Sequence, residues 1–102
     1  MEHTMNTYIY IGRDGEQGAE LRKTIRDQHI AHLTALDENQ RVVFGGPLRD
    51  EASLPCGSVI ILTAESLEAA RAIAESDPYF TQGVFKTIDV FETLTVFPKS
   101  AD

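Results

Sequence analysis

The feature that constrains the fold most is an unbroken apolar run at residues 59–62, which reads VIIL. Such a run is typical of a strand buried on both faces, because successive side chains of a strand point in opposite directions. Each face of the sheet that contains this strand must therefore be covered. We predict that the strand is central in its sheet.

Other segments rich in β-branched and aromatic residues predict three further strands. They are residues 8–11, 41–44 and 84–91. The second of these strands is expected to end at Gly45-Gly46-Pro47, since proline cannot donate to a sheet ladder and glycine permits unusual backbone angles.

Two helices are predicted between the strands. Residues 20–38 contain no glycine or proline and repeat apolar residues at helical spacing, so they indicate a long amphipathic helix. Ser66 is a typical N-cap for a second helix. This helix should end at about Ser76, because Pro78 disfavours helical geometry at Asp77.

The resulting order, β-α-β-β-α-β, predicts a ferredoxin-like split βαβ fold in the α+β class, with a four-stranded antiparallel sheet and two helices on one face. The other sheet face would then be apolar and open, so we expect a homodimer in which two sheets pack together. One domain is expected over residues 1–102, with a frayed start at 1–7 and a C-terminal tail at 94–102 that reaches the partner.

Composition excludes several classes of protein. The net charge of −7 argues against binding to nucleic acid, which requires a basic surface, and against anionic membranes. The one cysteine, Cys56, cannot form an intrachain disulfide, and the sequence shows neither a secretory leader nor an apolar run long enough for a membrane span. A cytoplasmic protein is therefore expected.

His29 is the residue that most invites a functional explanation, because it falls within the apolar arc of the first predicted helix. One interpretation is a core histidine that hydrogen-bonds to a backbone carbonyl or a tyrosine. The other is a general base or acid, whose tautomer a carboxylate would fix. Asp77 is the candidate carboxylate, although an aspartate before a proline is also a common turn residue.

Three residues are candidates for contacts with a ligand. Ser58 could donate a hydrogen bond or simply satisfy a strand end, and the backbone N–H near Gly46 could face an anion. Arg26 would suit a carboxylate or phenolate, as would the positive charges of Arg22 and Lys23 on the same helix, unless these charges are merely solvated. The sequence shows no usual metal-binding spacing, so neither a metal nor a cofactor is expected.

Several short motifs occur together in a specific order. They are R-x-x-H-x-x-x-L from Arg26, G-G-P from Gly45, G-S from Gly57, S-L-E-A-A from Ser66 and D-P-Y from Asp77. Over residues 8–97 the chain resembles the YCII (YciI-like) family. The resemblance implies a dimeric α+β barrel, and it implies that His29 and Asp77 correspond to the histidine and aspartate regarded as the family's active site, with Ser58 nearby.

The resemblance also implies a chemistry, since family members include a dehydrochlorinase that acts on a chlorinated hydroxyquinol. Our hypothesis is a small cofactor-independent enzyme, similar to a lyase or isomerase, that uses a His29–Asp77 dyad on a small anionic organic molecule. The alternative is a module that binds a small ligand, or assists another enzyme, without catalysis. Haem-dependent chemistry is a third hypothesis. The sequence does not identify the substrate.

Overall fold

The computed structural model describes residues 5–99, which form seven elements. They are β1 (Asn6–Asp14), α1 (Gly18–Glu38), β2 (Val42–Arg49), β3 (Pro55–Ala64), α2 (Leu67–Glu75), α3 (Pro78–Thr81) and β4 (Phe85–Thr93). The four strands make one antiparallel sheet in the order β2-β3-β1-β4, with the helices on one face. The predicted ferredoxin-like α+β fold is confirmed.

The ends of the chain differ partly from the prediction. Residues 1–4 of the predicted frayed segment and residues 100–102 of the predicted tail lie outside the described residues. Asn6 and Thr7, which the prediction included in the frayed segment, belong to β1, where Thr7 is paired with Thr63 and Thr93. Residues 94–99 are exposed and contain no helix or strand.

The prediction that the second strand ends at Gly45-Gly46-Pro47 was wrong. Strand β2 continues through these residues to Arg49, and Pro47 lies opposite Ser58 in β3. Because β2 is at the edge of the sheet, one side of the strand needs no ladder hydrogen bonds, and proline is tolerated there. Strand β3 has a neighbour on each side, so its predicted central position is confirmed.

The helix-covered face of the sheet contains a core built from alternate strand residues. Tyr8 and Tyr10 of β1 lie opposite Leu62 and Ile60 of β3, and all four side chains are buried. The buried alanines of α2 also belong to this core. Ser66 caps α2 as predicted, since its hydroxyl accepts a hydrogen bond from the Ala69 N–H at 3.0 Å.

The opposite face of the sheet carries a row of apolar side chains that runs across all four strands. We call this surface the open face; its row consists of Phe44, Ile61, Ile9 and Phe91. Both phenylalanines are 55% exposed. Separately, none of the helices in residues 5–99 combines the length and the hydropathy that a membrane crossing requires.

Candidate active site

Asp77 lies at the junction between α2 and α3, where it is fully buried. It is the N-cap of α3, and Pro78 takes the first helical position, where a missing N–H costs nothing. The Asp77 side chain accepts a hydrogen bond from the Tyr79 N–H at 2.9 Å. The sequence D-P-Y thus fixes the direction of the carboxylate.

The Asp77 carboxylate bonds to two side chains that are distant in sequence. His29 Nδ1 lies 2.7 Å from Asp77 Oδ1, and the Tyr10 hydroxyl donates to Oδ2 at 2.7 Å. Burial alone would raise the pKa of Asp77, but its hydrogen bond and charge interaction with His29, together with bonds from Tyr10 and the Tyr79 N–H, hold that pKa below its usual range. Asp77 is therefore ionised at neutral pH.

An ionised carboxylate only accepts hydrogen bonds, so Nδ1 of His29 carries the proton in this pair. The other ring nitrogen, Nε2, makes no hydrogen bond to a residue in the range 5–99. Every buried polar side-chain atom in this range has a hydrogen-bond partner, so Nε2 is not one of the buried atoms. Nε2 is therefore accessible. One face of the imidazole is covered by the Tyr79 ring, with the centroids 3.8 Å apart and the planes 4° apart.

A cavity of about 220 Å³ borders His29. Its lining consists of Arg22, Arg26, His29, Ile30, Pro47, Pro55 and Tyr79. The first four of these side chains lie on one side of α1, because Arg26, His29 and Ile30 follow Arg22 by four, seven and eight residues. The cavity thus combines a histidine and two arginines with apolar walls.

Arg22 is held tightly by its neighbours. Its guanidinium makes two hydrogen bonds to Asp14, at 2.7 and 2.9 Å, and donates to the Gly57 carbonyl at 2.9 Å. It also lies 4.9 Å from the centre of the Tyr79 ring. Burial lowers the pKa of Arg22, but Asp14 outweighs this effect, and the pKa lies above its usual range. The charge of Arg22 is thus largely balanced by Asp14.

Arg26 differs from Arg22 although it lines the same cavity one helical turn away. It is exposed, and within residues 5–99 it forms no hydrogen bond or ion pair. Arg26 is consequently the cavity arginine whose charge is available to a ligand.

The other two predicted ligand contacts do not line the cavity. Ser58 is buried, and its hydroxyl accepts a hydrogen bond from Arg22 at 3.2 Å, so it acts on the position of Arg22. Gly46 lies within β2 because the strand does not break there, and a Cβ at this position would contact the Phe44 ring, on the open face. Pro47, the next residue, lines the cavity instead.

Comparisons with known proteins agree with this architecture. The YCII-related domain matches residues 6–94. The chain belongs to the YCII-related family. A relative named protein YciI from Escherichia coli O6:H1 is 33% identical over 96 residues, which cover 88% of this chain and 98% of the relative. An uncharacterised protein from Haemophilus influenzae is 32% identical over the same coverage.

Solved structures share the fold of this YCII-related chain. One is a 5-chloro-2-hydroxyhydroquinone dehydrochlorinase from Burkholderia phenoliruptrix AC1100, in complex with 2,5-dihydroxybenzoquinone, with a TM-score of 0.72 and 23% identity over 83% of this chain and 90% of that one. Another is Rv0793 from Mycobacterium tuberculosis, with a TM-score of 0.55 and 12% identity over 95% and 100% of the two chains. At these identities the likeness shows the fold alone.

Two site residues of this YCII-related chain, Tyr10 and Tyr79, were missing from the residues predicted from the sequence. Arg22 was predicted as a positive charge that would suit an anion, but its pairing with Asp14 was not predicted. Tyr79 belongs to the D-P-Y motif. Tyr10 carries no such signal, since it reads as an ordinary strand residue.

Between residues 5 and 99, no three His, Cys, Asp or Glu side chains form a group that could bind a metal ion. His32, the histidine closest to His29 in sequence, has its Nε2 3.1 Å from the Ile73 carbonyl. This bond explains His32 as a residue that joins α1 to α2.

Proposed function

We propose that this protein is a small enzyme in which His29 is the general base and acid, and Asp77 orients it. The observation that carries the proposal is the buried 2.7 Å contact between His29 Nδ1 and Asp77 Oδ1, beside a cavity that His29 lines. Asp77 keeps the proton on Nδ1 and leaves the lone pair of Nε2 for a substrate. Stabilisation of the imidazolium by Asp77 then favours proton abstraction.

The substrate is a small organic anion, a carboxylate or phenolate. Arg26 supports this part of the proposal because its charge is unpaired within residues 5–99, whereas Arg22 is paired with Asp14. The charge of Arg22 is offset by its carboxylate partner, whereas the charge of Arg26 is not. Arg26 therefore attracts an anionic ligand more strongly than Arg22 does. Arg26 binds the anion, and Arg22 with Ser58 keeps the cavity wall in place.

The reaction class is an elimination or isomerisation. In an elimination, Nε2 takes a proton from a hydroxyl or an activated carbon, and the electron pair that is left behind expels the leaving group with its bonding electrons. The solved dehydrochlorinase of the same fold acts on 5-chloro-2-hydroxyhydroquinone, according to its name. That compound is therefore the first substrate to test here.

The active form is a homodimer that buries the open face against a second copy. The support is the row of four apolar side chains, whose two phenylalanines are each 55% exposed. Residues 94–99 continue from β4 at the end of the same sheet, and their exposed Leu94 and Phe97 extend the apolar surface available to a partner. A cytoplasmic location stays a prediction from the sequence.

The test measures chloride release from 5-chloro-2-hydroxyhydroquinone by the wild type and three variants. We expect His29→Ala and Asp77→Asn to lose about 10²–10⁴-fold in rate, the usual contribution of general acid–base catalysis. His32→Ala is the matched control, because it removes an imidazole from the same helix without touching Asp77. It should keep the wild-type rate.

A thermal-stability screen of small carboxylates, phenols and chlorinated aromatics extends the test to other substrates, since a ligand that binds the native state raises the melting temperature. Unchanged turnover in both dyad variants would refute the proposed roles. A ligand that binds but survives long incubation would instead favour a module that binds without catalysis.

A further inference from the structure

A groove continues from the cavity along the first half of α1. It has a volume of about 370 Å³ and shares Arg22, Arg26 and Pro55 with the cavity at His29. Its additional lining consists of Ala19, Lys23 and Leu54. Because three residues line both spaces, one ligand can occupy the two together.

Leu54 is 58% exposed, yet the loop between β2 and β3 fixes its position. The Asp50 side chain accepts hydrogen bonds from the backbone N–H groups of Ala52, at 2.8 Å, and Leu54, at 3.1 Å. The Asp50 N–H in turn donates to the Leu54 carbonyl at 2.9 Å. An apolar side chain is thus held at the side of the groove by a closed turn, where exposure to water is unfavourable.

The rim of the groove is cationic in a protein whose net charge is −7. Within residues 5–99, Arg26 forms no ion pair, and the Lys23 ammonium has only an exposed partner, Glu20, at 3.2 Å. The groove also lies on the helix side of the sheet, because Ala19, Lys23 and Arg26 belong to α1. It is therefore separate from the open face.

The cavity at His29 is small for a ligand site, since such sites usually have about 300–1,000 Å³. We propose that the groove is a second subsite, and that the substrate carries an aryl or alkyl extension which packs against Leu54 and Pro55 while its anionic group binds Arg26. This inference rests on the proposed function, and it narrows the substrate class to amphipathic carboxylates or phenolates.

The test compares the binding of benzoate and 4-butylbenzoate by NMR, with the methyl signals of Leu54 and Ala19 as reporters. A fully buried methylene tightens binding about fourfold. The groove is open on one side, so we expect a gain in affinity of about 1.8-fold for each carbon and about tenfold for the four carbons of the butyl group. Only the butyl compound should shift the Leu54 methyl signals strongly.

Two variants separate the groove from the anion site. Leu54→Ser should remove most of the tenfold gain and leave benzoate binding unchanged, whereas Arg26→Gln should weaken both anions equally. Leu67→Ser is the matched control, because Leu67 is an exposed leucine of α2 that lies outside the lining of the groove and of the cavity at His29. It should leave both affinities as in the wild type.

Equal affinities for the two anions would overturn the second subsite, and benzoate binding that depends on Arg26 would still support the proposed anion site. If neither anion binds, the neutral compound 4-butylbenzamide tests the groove alone. A shift of the Leu54 methyl signals with this compound would support the groove as a subsite and contradict the anion site. The absence of a shift would contradict the groove as a subsite. A change of oligomeric state in Leu54→Ser would also overturn the proposal, since the groove would then be an interface between copies.

Discussion

Removal of the Tyr10 hydroxyl tests whether Asp77 depends on its buried donors. Tyr10→Phe deletes the O–H that donates to Asp77 Oδ2 at 2.7 Å, and the ring that fills the core is kept. Tyr10 is only 1% exposed, so water cannot replace the lost donor. Asp77 keeps its bonds to His29 and to the Tyr79 N–H.

The cost follows from the charge of the acceptor. A hydrogen bond to a charged group contributes about 1.5–3 kcal/mol, and no cavity is created, so we expect a loss of about 2 kcal/mol in the free energy of unfolding at pH 7. For a chain of this size the melting temperature should fall by on the order of 10 °C.

The pH dependence supplies a second signature. Burial raises the pKa of Tyr10 far above its usual range, and the Asp77 carboxylate raises it further. Tyr10 therefore stays protonated in the folded protein, while the unfolded chain ionises above about pH 10. The stability of the wild type, and its advantage over Tyr10→Phe, should decrease above this pH by about 1.4 kcal/mol per pH unit.

At acidic pH, the dependence of folding stability on pH has the opposite sign. The lowered pKa of Asp77 stabilises the folded protein above the ordinary aspartate pKa of about 3.9, and this stabilisation is lost as the pH falls through the folded value. Because Tyr10 contributes to the lowered pKa, the advantage of the wild type over Tyr10→Phe should also narrow below about pH 4. The stability advantage of the wild type over Tyr10→Phe should be largest between about pH 4 and about pH 10.

Urea unfolding from pH 3 to 11, at one protein concentration, measures both effects. The matched control is Tyr8→Phe, since Tyr8 is buried in the same strand and on the same face but its hydroxyl forms no hydrogen bond within residues 5–99. We expect Tyr8→Phe to change stability by less than about 0.5 kcal/mol. An equally small change in Tyr10→Phe, with no pH dependence, would refute our account of Asp77.

Two further predictions concern the dimer and a helix cap. In sedimentation experiments the wild type should be a dimer at micromolar concentration and Phe91→Asp a monomer, because the charge would be buried against the partner's open face; a monomeric wild type would contradict the proposed dimer. Ser66→Ala should lose about 1 kcal/mol in urea unfolding, since the hydroxyl that accepts from the Ala69 N–H is removed; unchanged stability would show that water replaces this cap.

The sequence was sufficient where the determining interactions are local. The long helix follows from the spacing of apolar residues between 20 and 38, and the start of α2 follows from Ser66, whose hydrogen bond spans three residues. The central position of β3 also follows, because an unbroken apolar run is typical of a strand covered on both faces, as strands in the interior of a sheet are.

The sequence was insufficient where the outcome depends on which elements are neighbours in space. Pro47 interrupts a central strand but not an edge strand, and the order of the strands decides which of these β2 is. Similarly, Arg22 and Arg26 look alike on α1. Only the position of Asp14 at the end of β1 neutralises the first arginine and leaves the second one free.

The pairing at the centre of the candidate site shows the same division. The sequence by itself determined that His29 lies on the apolar side of a helix and that Asp77 lies where α2 must end, because periodicity and proline sterics act over a few residues. The tertiary structure decided that these two side chains, 48 residues apart, meet at 2.7 Å, and that Tyr10 adds a third donor from 67 residues away. Such contacts depend on how the sheet and helices pack, which no local pattern encodes.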